Sequence, residues 1–361
     1  MPGPKTDWLL SAPVSATNAK ADTPLFPYLM RLIRGEDLSA ADAAAFFDAL
    51  IDVNANPAQI AAALAALTSK GETFEELAGM ASVMRSAATR IEAPVKGAVD
   101  IVGTGSSAAK TFNISSAAAF VAAGAGLPVA KQCNRGVTSR SGSADLLGEL
   151  GIRVAAEANV AQMSLRGTGL CFLFAAKFHP SLRRVGDIRS SLGIRTCLNV
   201  LGLMANPASV SRHVIGVWHR SLVEPVTKAL AFLKAENAWV VHGQDGLDEI
   251  TLAGETMIGI IRRGSIASHV ISPKDFGLKP ARIDHLKTGS VKESAKIIRE
   301  VMSGRRRDEA RSLVVMNAAA ALVVGGLAKD PMHAARMAEQ SIDSGQAQNK
   351  LERLIQITNK K

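Results

Sequence analysis

The residues best suited to chemistry gather in four short stretches. "DIVGTGSSAAKTFNISS" (Asp100 to Ser116) runs from an apolar segment through glycines and small polar residues to an alanine-rich segment opened by Asn113 and Ser115. "AKQCNRGVTSRSGSADLL" (Ala130 to Leu147) brings Lys131, Asn134, Arg135, Arg140, Ser141 and Ser143 together after a second apolar run. "HPSLRRVGDIRSSLGIRT" contributes His179, Arg183, Arg184, Arg189 and Arg195, and "VVHGQDGLDEITL" contributes the adjacent carboxylates Asp248 and Glu249. Gly103 and Gly105 let the backbone approach a ligand closely, and a helix beginning near Ser115 offers unpaired N–H groups and partial positive charge, which together make an anion cradle. The stretch is neither a Walker loop, since GK[ST] is missing, nor a dinucleotide fingerprint, since the third glycine is absent. A plain strand-to-helix turn uses the same glycines, so the loop alone does not decide between the two.

The neighbouring segment tips the balance. Open α/β sheets bind ligands at the carboxyl ends of their strands, so two polar, glycine-containing loops on adjacent strand ends can surround one polyphosphate. Any single Lys or Arg here is equally explained as a solvated surface charge. A carboxylate pair after a strand suits Mg²⁺, which takes one or two carboxylates and fills its shell with water and phosphate oxygens. Without the phosphate loop, Asp248 and Glu249 would read as turn decoration. His179 by itself reads as a buried hydrogen-bonding residue.

The elements that must position these groups follow from periodicity and punctuation. From Leu25 to Ala88 the pattern is helical, with a helix start at Ser39 and Asp42, a cap and proline at Asn56-Pro57, and a capping box from Thr73 to Glu76. After "EAPVKGA" come short β-rich runs, "VDIVG", "PVAKQ", "CFLFAA", "VIGVW" and "AWVVHG", alternating with helical segments, so the class is α/β with a mainly parallel sheet. Helices near Val291 to Met302, Asp308 to Val323 and His333 to Asp343 close the chain. The division expected is a flexible extension over residues 1–24, a helical domain over 25–95 and an α/β domain over 96–361, some of whose later helices join the helical domain.

Composition narrows the classes. The chain has 361 residues, 47% hydrophobic and 20% charged, which excludes disordered and fibrous proteins. Cys133, Cys171 and Cys197 are odd in number and widely spaced, so neither a disulfide framework nor a zinc site is supported, and a reducing, cytoplasmic setting is expected. The N-terminal stretch lacks the apolar run of a secretory signal, and no segment reaches the length of a membrane helix. The net charge is +10, with −4 on residues 1–95 and +14 on the rest. Such asymmetry fits simple solubility, an anionic small substrate or a nucleic acid.

Taken together, these residues resemble the anthranilate phosphoribosyltransferases, within the nucleoside phosphorylase type II class of glycosyltransferases. The similarity runs from about Leu25 to Ile357 and includes long stretches such as "HPSLRRVGDIRSSLGIRTCLN" and "VVHGQDGLDEITLAGET". The resemblance implies transfer of phosphoribose from phosphoribosyl pyrophosphate to the amine of anthranilate with Mg²⁺, in tryptophan biosynthesis. It also implies a small helical domain hinged to a larger α/β domain, and a homodimer through the helical domain. Residue by residue, it implies donor contacts at Gly103, Thr104, Gly105, Ser107, Thr111, Asn113, Ser115, Ser116, Lys131 and Ser143. Acceptor contacts fall at Asn134, His179 and Arg189, and metal contacts at Ser115, Asp248 and Glu249. No residue is implied as an acid or base, because an aromatic amine is neutral near pH 7 and carries its own lone pair.

The chain departs from the family pattern at three places. GTGSS stands where the family reads GTGGD, which puts Ser106 for a glycine and Ser107 for an aspartate. Lys131-Gln132-Cys133-Asn134 stands where it reads KHGN, and a Cβ at Cys133 would disfavour positive φ by roughly 1 to 2 kcal/mol. Leu203 stands where a proline usually follows "LG". Three readings follow: the family's enzyme with a divergent loop, a phosphoribosyltransferase with a different acceptor, or a non-enzymatic relative that binds DNA through its basic face. Retained metal carboxylates favour an enzyme, and the basic α/β part favours the nucleic-acid reading.

Overall fold

The computed structural model describes residues 23–91, 96–105, 111–136 and 142–360. The expected N-terminal extension lies outside these except for its last two residues, and Ser106, Ser107, Arg140 and Ser141 also lie outside.

Four helices open the described chain: α1 (Phe26–Ile33), α2 (Ala40–Ile51), α3 (Pro57–Lys70) and α4 (Phe74–Ser86). Their starts are fixed by the side chains the sequence pointed to. Ser39 accepts the Asp42 N–H, Asn56 accepts that of Ala58, and Thr73 with Glu76 forms the reciprocal capping box. Each satisfies an N–H that a helix start leaves without an intrahelical partner.

The remaining chain alternates strand and helix: β1 (Val99–Gly103), α5 (Ile114–Gly124), β2 (Val129–Cys133), α6 (Ser143–Glu149), α7 (Ala158–Thr168), β3 (Leu170–Phe174), the short α8 (Ala175–Phe178), α9 (Arg183–Leu192), α10 (Leu198–Met204), β4 (Arg212–Gly216), α11 (Val223–Phe232) and β5 (Asn237–Gly243). Then come β6 (Thr256–Arg262), β7 (Ser265–Ile271), α12 (Val291–Met302), α13 (Glu309–Val324), α14 (Pro331–Asp343) and α15 (Gln346–Asn359). The sheet order is β3-β2-β1-β4-β5-β6-β7. The first five strands are parallel, and β6 and β7 run antiparallel.

The fold is therefore α/β with a mainly parallel sheet and an N-terminal helical bundle. Five strand runs stand in the sequence reading and seven in the sheet. The two extra strands form a hairpin turned by Arg263 and Gly264, both at positive φ, the geometry a two-residue hairpin prefers. A fourth C-terminal helix, α15, also goes beyond the sequence reading.

The order of strands fixes where a ligand can bind. Strand order runs outward from β1 to β3 on one side and from β4 to β5 on the other, so the chain switches direction between β1 and β4 and opens a crevice beyond their carboxyl ends. One sheet face is covered by α5, α13 and the other C-terminal helices. Over the opposite face, Val102, Ile215 and Val240 join α10, α11 and the helical bundle in one apolar core. Burying each such side chain contributes about 1.5 to 3 kcal/mol, which holds the bundle against the crevice.

Candidate active site

Asp248, in the loop after β5, closes over the ends of both central strands. Its Oδ2 accepts from the Thr104 hydroxyl and from the Gly105 N–H, each at 2.7 Å. The approach is close enough to dictate neighbours. A Cβ on Gly216, the last residue of β4, would stand 1.7 Å from the Asp248 carbonyl oxygen, and one on Gly103 would stand 3.0 Å from it. Gly105 has φ +64°, so the turn after β1 also exploits glycine. The sequence reading missed Gly216, although a glycine ending a central strand signals close backbone approach.

The start of α5 faces this corner. Glu249 Oε1 accepts the Ser115 N–H at 3.2 Å, and the Ser115 hydroxyl lies 3.2 Å from Lys131 Nζ, which also donates to the Ile101 carbonyl. Asn113 does not cap the helix. Its N–H donates to Ser294 Oγ, and its Oδ1 accepts from the same hydroxyl, so α12 holds the loop in place. Lys131 is 1% exposed, and burial pushes its ammonium below its usual value against the pull of Asp100 and Glu249. Burial, followed by the adjacent charge of Asp248, pushes the Glu249 carboxyl up to about 8.

Two neighbouring carboxylates of which one resists ionisation make a corner short of positive charge, which fits a divalent cation. Among the described residues no group of three or more His, Cys, Asp or Glu forms a ligand set. A cation here would thus need water and ligand oxygens to complete its shell, as Mg²⁺ characteristically does.

The other half of the same cleft is built differently. The cleft, of about 1310 Å³, is also lined by Gln132, Asn134, His179, Arg189, Asn199 and Leu203. No carboxylate among the described residues pairs with Arg189, whose Nε has no partner and whose guanidinium is pushed below its usual value by burial. His179 is 2% exposed, and burial lowers it to about 4, so the ring is neutral at pH 7. The carbonyls of Ala205 and Met84 approach it, but neither ring nitrogen makes an aligned hydrogen bond.

Of the described residues singled out from sequence, all but Ser116 and Arg184 line this one cleft, and Arg184 donates instead to the Val53 carbonyl. Ser116, the third residue of α5, is fully buried, and its hydroxyl has no partner. Ser107 lies outside the described residues. Thr111 bridges to Lys287, and Ser143 Oγ accepts the Asn134 N–H.

One expectation about the departures is corrected. Cys133 is not at positive φ. It lies in β2, buried and paired with Phe174, so its Cβ carries no backbone strain. Leu203 is an interior residue of α10 that lines the cleft, where a proline would remove a helical N–H. The sequence reading also missed Asn206, whose amide ties buried Asp100 to the Ala130 carbonyl, each at 2.7 Å. Its signal was the Asn-Pro pair after α10.

A mainly parallel sheet with a direction switch, an anion cradle, a carboxylate pair and an unpaired arginine define an α/β cleft suited to a phosphorylated ligand and a divalent cation. The chain belongs to a glycosyl transferase family: residues 95–348 match its a/b domain and residues 26–88 its helical bundle domain. It is 46% identical over 323 residues to an anthranilate phosphoribosyltransferase of Rhodospirillum rubrum, covering 90% of this chain and 92% of that one. It is 42% identical over 334 residues to one of Xanthobacter autotrophicus, covering 92% and 96%. The crystal structure of the enzyme from Thermus thermophilus superposes with a TM-score of 0.87 at 34% identity, covering 92% of this chain and 99% of that one. That from Saccharomyces cerevisiae in complex with PRPP and Mg gives 0.85 at 27%, covering 94% and 99%.

Proposed function

We propose that this protein transfers phosphoribose from phosphoribosyl pyrophosphate to the amine of anthranilate, as its relatives' names indicate for them. One observation carries the reading: a carboxylate-and-amide corner and an unpaired arginine face each other across a single cleft. The α5 N-terminus, the Gly105 turn and Lys131 bind and orient the diphosphate. Ser115, Asp248 and Glu249 hold Mg²⁺, which when bound neutralises charge on the leaving group. The amine nitrogen bonds to C1 as the C1–O bond to diphosphate breaks, diphosphate departs with the electron pair, and the nitrogen loses one proton to water. Donors aimed at the diphosphate lower the barrier, because negative charge develops there. Arg189 grips the acceptor carboxylate in a two-pronged contact, and Asn134 and His179 complete its surroundings.

A second reading is favoured by Gln132 and Cys133: the same transfer to a different aromatic amine. A diphosphate-release assay with defined Mg²⁺ and a panel of aminobenzoates separates the two. Release with anthranilate supports the first, release only with another amine supports the second, and no release with any of them counts against both.

We further propose that the helical segment to about residue 95 and the following α/β segment act as two units, that the chain forms a homodimer through the helical bundle, and that it works in the cytoplasm. The three buried, unpaired cysteines support a reducing compartment. Among the described residues no helix is long and apolar enough to cross a membrane. Light scattering on the purified chain tests the dimer.

A further inference from the structure

We propose that Ser294, near the start of α12, is a positioning residue: its hydroxyl orients the Asn113 amide so that Nδ2 is the end presented to an oxygen of the sugar diphosphate. This rests on the reading of the cleft as a phosphoribosyltransferase site. Asn113 stands at the N-cap of α5, where an asparagine ordinarily accepts a backbone N–H of the first turn. Here its side chain makes no capping bond. Its Oδ1 accepts instead from the Ser294 hydroxyl at 2.9 Å, and its own N–H donates to that hydroxyl at 3.1 Å. The same stretch reaches the loop a second time, since Thr111 bridges to Lys287, and Thr288 and Gly289 line the cleft.

Proton counting decides which end of the amide faces outward. A serine hydroxyl carries one proton and accepts through its lone pairs. Ser294 is fully buried, and among the described residues its hydroxyl bonds only to Asn113. One lone pair takes the Asn113 N–H, so the proton has Oδ1 as its outlet. The reverse orientation would set Nδ2 against the hydroxyl and leave that proton buried without an acceptor, which folded proteins avoid. Nδ2 therefore keeps both of its N–H donors. It has no partner among the described residues, it is not buried, and Asn113 lines the cleft. Its neighbours are already engaged: Asp248 takes the Thr104 hydroxyl and the Gly105 N–H, and Glu249 takes the Ser115 N–H. An oxygen-rich ligand entering this corner meets an unengaged donor at Asn113, aimed by a side chain that the ligand does not touch.

The test is a double-mutant cycle on the full chain with Mg²⁺, read as the KM for phosphoribosyl pyrophosphate and, separately, for anthranilate. Ser294→Ala frees the amide to turn over, so the donor KM rises about 5- to 10-fold, in keeping with one lost hydrogen bond, while the anthranilate KM stays put. Asn113→Ala raises the donor KM by a similar factor. Adding Ser294→Ala to it costs less than about twofold more, because the hydroxyl then has no amide to orient. If Ser294→Ala does not fold, Ser294→Cys, whose thiol is a weak donor, is read in the same way. An unchanged donor KM in the Ser294 variant overturns the proposal. So do losses that multiply in the double variant, which would mean that Ser294 acts on the loop without passing through the amide. Failure of the native chain to release diphosphate with any aminobenzoate is seen before a variant is made, and it overturns the underlying functional reading instead.

Discussion

The two halves of the cleft are satisfied to different degrees. On the side proposed for the donor, Thr104, Gly105, Ser115, Lys131 and the two carboxylates already bond to one another across β1, α5 and the loop after β5. On the side proposed for the acceptor, Gln132 Oε1, both nitrogens of His179 and Nε of Arg189 are buried without a partner. A pre-bonded region holds its shape and is short of charge, whereas an unpaired region is short of hydrogen bonds. The first suits a polyanion that arrives with its cation, and the second, whose unpaired atoms lie behind the cleft surface, has to shift before a small polar ring can pair with them. Preorganisation on the donor side is where most of the rate should originate, because charge develops on the departing diphosphate.

Removing one anchor from each half sharpens that contrast. Asp248→Ala loses both the clamp on Thr104 and Gly105 and half of the carboxylate pair. Turnover should fall by roughly 10³-fold, as for loss of a principal electrostatic element. Steady-state kinetics against Mg²⁺ and the sugar donor checks it, and a loss under tenfold would contradict the charge-deficient corner. Arg189→Ala should raise the acceptor KM by about 10²-fold, the scale of a charge-assisted pair, while calorimetry shows donor binding intact. Loss of donor binding in the same variant would erase the distinction between the halves.

The donor half was the more legible in sequence, for a physical reason. Gly103, Gly105, Asn113 and Lys131 are local signals, readable as a strand, a turn and a helix start. Asp248 was visible as a carboxylate at a strand end, but its closure over β4 was not, because Gly216 gains meaning only when β1 and β4 lie side by side. The helix caps at Ser39, Asn56 and Thr73 were readable for the same local reason, since each bonds within three residues. The β6–β7 hairpin was missed although Arg263-Gly264 carried a local turn signal. The environment of Cys133 was misjudged because a backbone conformation was inferred from a motif, whereas the strand pairing with Phe174 decides it.

Acid sets the neutral imidazoles on the sheet face that carries the acceptor half against two buried carboxyls. Burial lowers His213 in β4 to about 3 and His179 to about 4, so the unfolded chain takes up protons near pH 6.5 while the native rings do not. For the rings alone, the unfolded state binds more protons below pH 6.5, and stability falls as pH falls toward those values. Asp100 and Glu249 work the other way. Burial raises them to about 6 and about 8, so their native carboxyls take up protons before the unfolded ones do. Two rings and two carboxyls nearly cancel, and stability should change by less than about 1 kcal/mol between pH 7 and pH 5. Urea unfolding across that range measures it, and His213→Leu should turn the flat profile into a gain of about 2 kcal/mol on acidification. A marked loss in the native chain would show that the rings outweigh the carboxyls.

The smallest effect concerns the position between the two halves. Cys133 is buried in β2, between strand neighbours, with its thiol pushed up to about 12 by burial. It is therefore a small apolar residue at any working pH. Cys133→Gly removes that packing and loosens the strand, which should lower stability by about 1 kcal/mol. Turnover should change by less than about twofold, since the Asp248 corner and Arg189 stay where they are. Thermal unfolding and kcat measured on the same preparation check both statements. A marked gain in turnover would mean that this strand end must adopt a glycine-like conformation with substrate bound, and the boundary between the rigid donor half and the unpaired acceptor half would then have to move to include β2.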